Sequence, residues 1–132
     1  MKFLKYSVIL FILTFLLSTC ENEFKVIEDL SNKSYELVDQ DSSKFNFPER
    51  IKDDYTLVGY IFTNCPDICP LTTNNMRILQ EQMKEEEIDN VNLLSISFDP
   101  EVDKPSRLKK YAELRSLDFS NWDFVTGKKS TV

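Results

Sequence analysis

Cys65 and Cys69 stand four positions apart in the run Thr63-Asn64-Cys65-Pro66-Asp67-Ile68-Cys69-Pro70, where an apolar stretch of strand character gives way to one of helical character. Sulfur at such a junction is chemically useful. A helix N-terminus offers unpaired amides and the positive end of a dipole, and both stabilise a thiolate over a thiol. With Cys65 in the loop and Cys69 in the first turn, the offset brings both sulfurs to one side. The two prolines suit a passage into a first turn, where a missing N–H costs little. Two adjacent, partly exposed thiolates are soft ligands that select copper(I) over hard cations. The same pair can close into a disulfide if the helix start is slightly distorted. The plain alternative is a structural disulfide or two packed thiols, but prolines on both flanks at a strand-to-helix junction are poor surroundings for mere packing.

Composition narrows the chemistry further. The chain has three cysteines and no histidine, which removes imidazole triads, histidine-containing zinc sites and the usual proton shuttle near neutral pH. Sulfur and carboxylate remain. Met76 and Met83 sit at helical spacing and read as core rather than as thioether ligands. Asp67 and Asp99 are carboxylates that could tune the thiols or receive a partner, although Asp99 before Pro100 is sufficiently explained by a turn. The acidic run at 85–87 reads as a solvated face, and Trp122 as core. The formal charge is −6, and Lys2 and Lys5 are the only charged residues ahead of Cys20, so a chain starting there would be more acidic still. Nucleic acid, which needs a basic footprint, is excluded as a partner.

The elements that must hold the thiols can be read on either side of them. At 132 residues, with 42% hydrophobic and 29% charged, the chain has room for one globular domain. Residues 34–47 alternate as a β-hairpin, with Tyr35 and Leu37 on one arm and Phe45 and Phe47 on the other. Residues 55–62 form a nearly continuous apolar run, expected as a strand buried on both faces. Residues 71–86 read as a helix with a stripe at Thr72, Met76, Leu79 and Met83. Residues 91–98 give a second apolar strand, ended by Asp99-Pro100. Asp103 as a cap and Pro105 in the first turn start a second helix through Leu108, Tyr111, Ala112 and Arg115. A short strand begins at Trp122, and Gly127 opens a turn. Hairpin, strand, helix, strand, helix, strand is an α/β order with parallel pairing and right-handed crossovers.

The N-terminus reads as an address. Lys2 and Lys5 precede an apolar run, residues 8–17, too short for an easy bilayer crossing. Leu17-Ser18-Thr19-Cys20 resembles a bacterial lipobox, in which the cysteine is acylated. Residues 1–19 are thus expected as a signal peptide of lipoprotein type, Cys20 as the lipidation site, residues 20–33 as a linker and residues 34–132 as the domain. An uncleaved anchor or a simple secreted protein are the alternatives. The expected location is extracytoplasmic and membrane-anchored, where a dithiol can oxidise. With Cys20 spent on lipid, Cys65 and Cys69 are each other's remaining partners.

From 34 to 127 the sequence resembles the Sco family (Sco/SenC), thioredoxin-like copper proteins involved in assembling cytochrome oxidase. The resemblance is carried by GYIFTNCPDICP, SISFDPEVDKP and SNWDFVTG, in that order. It implies a thioredoxin-like fold and a copper site at Cys65 and Cys69. It also implies delivery of copper to, or reduction of cysteines in, the CuA centre of an oxidase subunit, with that subunit or another copper chaperone as partner. Family members add a histidine ligand from a loop further downstream, and this chain, ending at Val132, has none. The expectation is a C-terminally truncated member whose fold is incomplete at that end. A metallochaperone is therefore one reading. An extracytoplasmic thiol-disulfide oxidoreductase working through Cys65 and Cys69 as a redox pair is the second, because exchange needs only an accessible low-pKa thiol and a resolving one. A fragment without activity is the third.

Overall fold

The computed structural model describes residues 29–131. The signal-type segment, Cys20 and the first part of the 20–33 linker lie outside the described residues. Among the described residues no helix is long and apolar enough to cross a membrane.

The hairpin forms as its alternation requires. Strands β1 (Tyr35–Asp39) and β2 (Lys44–Phe47) pair antiparallel with Leu37 opposite Phe45, and both side chains are buried. The connecting turn is held by the Asp39 carboxylate, whose Oδ1 accepts the amides of Asp41 at 2.9 Å and Ser43 at 2.8 Å. After a 3-10 turn at Glu49–Ile51 come β3 (Tyr55–Ile61), α1 (Ile68–Glu85), β4 (Val91–Ser97), α2 (Pro105–Glu113) and β5 (Trp122–Thr126). They build one five-stranded sheet in the order β2-β1-β5-β4-β3. β3, β4 and β5 run parallel, and β1 joins β5 antiparallel. This is the thioredoxin-like α/β arrangement.

Both crossover helices contribute to a single core on one face of the sheet. There Met76 and Met83 of α1 and Leu108, Tyr111 and Ala112 of α2 cluster with Ile61, Leu93, Trp122 and Phe124. Trp122 is stacked on Phe124 with centroids 5.2 Å apart, and its indole N–H donates to Ser95 Oγ at 3.0 Å, so the core reading of this tryptophan holds. The opposite face gathers Leu37, Phe45, Leu94, Ile96 and Val125.

Two readings of the sequence are corrected. β3 is not buried on both faces: it is an edge strand of this sheet, with Tyr55 74%, Leu57 43% and Tyr60 66% exposed. The central strand β4 has the two-sided burial instead. The buried stripe of α1 is rotated from the expected one, and runs through Cys69, Thr73, Met76, Gln80 and Met83, leaving Leu79 exposed. Polar partners decide this. Thr73 Oγ1 and the Tyr111 hydroxyl lie 2.9 Å apart, tying α1 to α2. Gln80 Nε2 donates to the Asp118 carbonyl at 2.8 Å and to Asn121 Oδ1 at 2.6 Å. A buried amide or hydroxyl satisfied in this way is tolerated, and a hydrophobicity pattern does not foresee it. The helix also starts three residues before the expected Leu71, so that Cys69 is its second residue.

Candidate thiol and metal site

β3 leaves the sheet at Ile61, the chain turns through 62–67, and α1 begins at Ile68. The turn is fixed at its start by the Cys65 amide, which donates to the Phe62 carbonyl at 3.1 Å. Asp67 occupies the cap position but makes no side-chain cap hydrogen bond. Sulfur does that work: the Cys69 amide donates to Cys65 Sγ at 3.3 Å. The amides of Asp67 and Ile68 also act on Cys65 Sγ, so the donors that a helix start leaves free converge on one sulfur.

The two thiols are inequivalent. Both are free, and the Cys69 thiol hydrogen-bonds to Cys65. That donated bond is the foremost reason why the Cys65 thiol ionises more readily than an ordinary cysteine; burial opposes it, and the amides of Asp67, Cys69 and Ile68 assist. Burial pushes the Cys69 thiol up, and its role as donor to Cys65 and the charges of Cys65 and Asp103 add to this, against the amide of Phe62. Of the two thiols, Cys65 is therefore the more readily ionised.

The sequence led to an expectation of partly exposed sulfurs, which the structure corrects. Cys65 is 8% and Cys69 3% exposed, and both belong to the helix-side core cluster with Ile61 and Met76. Because Cys69 lies on the sheet-facing side of α1, its position is fixed by the packing of that helix. Asn64, Pro66, Asp67 and Ile68 form the exposed rim around the pair.

Asp103 is the member of the site that sequence reasoning misassigned. It does not cap α2, whose cap residue is Lys104. It is fully buried, and its carboxylate accepts the Thr63 amide at 2.9 Å, the Thr63 hydroxyl at 2.5 Å and the Ser97 hydroxyl at 2.7 Å. Arg107 sits 3.8 Å from it, donates from Nε to Thr63 Oγ1 at 2.6 Å, and reaches Asn64 Oδ1 with Nη2. One buried carboxylate thus ties the end of β4 and the start of α2 to the loop that carries Cys65. Asp67 and Asp99 do not take this role: Asp67 is exposed in the rim, and Asp99 closes a turn by accepting the amides of Val102 and Asp103 on its carbonyl. A buried carboxylate that takes its partners from Ser97, six residues away, and Thr63, forty residues away, leaves no local signature; the hint was an aspartate two residues before a helix-starting proline.

The donor set fits a soft cation held by two sulfurs. Among the described residues no group of three or more cysteines and carboxylates is placed to hold a metal, and Cys65 and Cys69 are soft donors that the loop and the first turn of α1 set close together. Met76 and Met83 are packed in the core, as their spacing predicted.

A family model described as SCO1/SenC matches residues 6–132. Over 79 residues, 60% of this chain and 40% of the relative, the sequence is 51% identical to the SCO1 protein homolog of Bacillus subtilis (strain 168). The fold resembles BsSco, a member of the Sco family of cytochrome c oxidase assembly proteins in which a disulfide switch was identified, with TM-score 0.67 and 43% identity over 74% of this chain and 56% of that one. A SCO1/SenC family lipoprotein from Bacillus anthracis str. Ames gives TM-score 0.68 and 36% identity over 73% and 56%. The copper-bound ScoI of Bradyrhizobium japonicum gives 0.65 and 28% over 74% and 59%. The match thus covers well under two thirds of these relatives' own lengths.

Proposed function

The chain belongs to the SCO1/SenC family, and on that premise we propose that it is an extracytoplasmic copper(I)-binding assembly factor whose cargo is held between Cys65 and Cys69. The observation that carries this reading is the convergence of helix-start amides on Cys65 Sγ with a second free thiol beside it, a ready-made pair of soft donors. The copper-bound relative and the description of BsSco as an oxidase assembly protein support it. The partner would be the CuA subunit of cytochrome c oxidase or another copper chaperone. Cys20 would be acylated and tether the domain to the membrane, in keeping with the lipobox-like run and the lipoprotein from Bacillus anthracis. Mass spectrometry of the mature N-terminus tests that tether, and an unmodified Cys20 would remove it.

Copper is tested by titrating the reduced protein with copper(I) against a competing chelator. Uptake of about one ion per chain through sulfur is expected. Equal uptake by a Cys65→Ser, Cys69→Ser form would defeat the proposal. A second reading, thiol-disulfide exchange, is favoured by the inequivalence of the thiols. Cys65, the more readily ionised thiol, attacks the partner disulfide, and Cys69, once it has given up its proton, attacks Cys65 Sγ in the mixed disulfide and releases the partner's thiolate. An exchange rate with a small model disulfide no faster than that of free cysteine would exclude it.

A further inference from the structure

Beside the thiol loop, α2 and the segment after it line a groove of about 430 Å³ formed by Thr63, Arg107, Lys110, Tyr111, Leu114 and Arg115. Three of these six are cations and none is a carboxylate, on a chain whose net charge is −6. Their charges are unequally engaged. Arg107 is held by Asp103, Thr63 and Asn64. Neighbouring Lys109 is neutralised by Asp41 at 2.7 Å and stands near Glu113, but neither of those carboxylates lines the groove. Lys110 is exposed, and among the described residues neither it nor Arg115 has a carboxylate within ion-pairing distance. Arg115 is nevertheless fixed: its guanidinium lies 3.6 Å from the Tyr111 ring centroid and Nη1 donates to the Tyr111 carbonyl at 3.0 Å. A cation ordered by an aromatic face, with its charge unspent, is preorganised for an anion. Leu114, 73% exposed, supplies an apolar contact at the same place.

We propose that this groove docks an extended acidic segment, carrying at least one apolar side chain, of the protein that Cys65 and Cys69 serve. The groove starts at Thr63, two residues before Cys65, so a segment seated in it is delivered against the thiol rim. The rest of the acidic surface repels the same segment, which makes the groove selective for orientation as well as for charge. The identity of the occupant as a client of the thiols rests on the function proposed above; the groove's preference for acidic peptide does not.

The test uses the full reduced chain and a fluorescein-labelled ten-residue peptide of glutamates interrupted by leucines, with a lysine-for-glutamate peptide as its match. Anisotropy should show the acidic peptide binding about tenfold tighter or better, with the preference falling as salt is raised. Lys110→Glu with Arg115→Glu should abolish the preference while copper(I) uptake is unchanged. Lys110→Glu alone, at an exposed position, should reduce it if the double variant folds poorly. The Cys65→Ser, Cys69→Ser form should bind the peptide as the parent does, so copper(I) uptake by that form equal to the parent's, with peptide binding retained, condemns the proposed function and leaves the docking preference intact. Equal binding of the two peptides, or a preference untouched by Lys110→Glu and by the double variant, would overturn the groove. So would full displacement by inorganic phosphate at matched ionic strength, which marks a simple anion site, or charge-dependent binding of anionic vesicles without peptide preference.

Discussion

A sulfur that receives hydrogen bonds from helix-start amides and from a second thiol gives up its proton at lower pH than a free cysteine, whereas a donor thiol set against a buried carboxylate keeps its own. Alkylation by iodoacetamide across a pH series should therefore modify Cys65 first, with a rate midpoint below that of a free cysteine. Cys69→Ala removes the donated bond and should move that midpoint up; modification of Cys69 ahead of Cys65, read by peptide mass mapping, would contradict the assignment. Asp103→Asn removes a charge that opposes Cys69 ionisation, so the Cys69 midpoint should fall. Asp103→Ala strips the acceptor from the Thr63 amide and from the Thr63 and Ser97 hydroxyls, and should cost about 1–3 kcal/mol for each donor left buried and unpaired, seen in denaturant unfolding. At this scale the sequence was legible where chemistry is local. Residue type and spacing pointed to Cys65 and Cys69, but the coverage of the sulfurs and the turning inward of Asp103 depend on chain segments about forty residues away, which spacing cannot reveal.

The elements that hold this site end in a way the composition alone would not suggest. Both helices close with the hydrogen-bond pattern that calls for a left-handed residue, Ile88 N to the Met83 carbonyl and Leu117 N to the Ala112 carbonyl, yet the left-handed positions are Glu87 at φ 57° and Ser116 at φ 53°. The chain has only two glycines, and neither is spent here. Glu87 also places a negative charge at the negative end of the α1 dipole. Glu87→Gly should therefore stabilise the protein by about 0.5–1 kcal/mol and raise Tm, whereas the same change at exposed Glu85 inside the helix should lower it. Gly59 has a different use. A Cβ there would come 2.8 Å from Met76 Sδ, so the glycine lets α1 lie close on β3 and seat Cys69 beside the strand end. The periodicity of α1 gave its existence and length to within a few residues. It missed the burial of Thr73 and Gln80 because their polar groups are satisfied by Tyr111, Asp118 and Asn121, from parts of the chain that lie across the core.

For the whole molecule, what decides exposure is the place of each strand in the sheet. The apolar runs of β3 and β4 look alike, but β4 is paired on both sides while β3 is paired only with β4 among the described residues. A run cannot announce which neighbour it will lack, and so the two-sided burial expected of β3 belongs to β4 alone. The consequence is an open strand edge with Tyr55, Leu57 and Tyr60 in solvent, next to backbone groups free to pair with another chain. Concentration-dependent association through β3 follows, and a lysine on such an edge opposes it by charge repulsion and by the cost of desolvation. Leu57→Lys should lower the light scattering of concentrated protein and its rate of rise on warming. At 43% exposure the substitution should change unfolding stability by no more than about 1 kcal/mol. Glu113→Gln, at an exposed position on α2, serves as the control that shifts net charge by the same single unit. If Leu57→Lys scatters as strongly as the parent while remaining folded, the β3 edge is not the surface through which the protein associates.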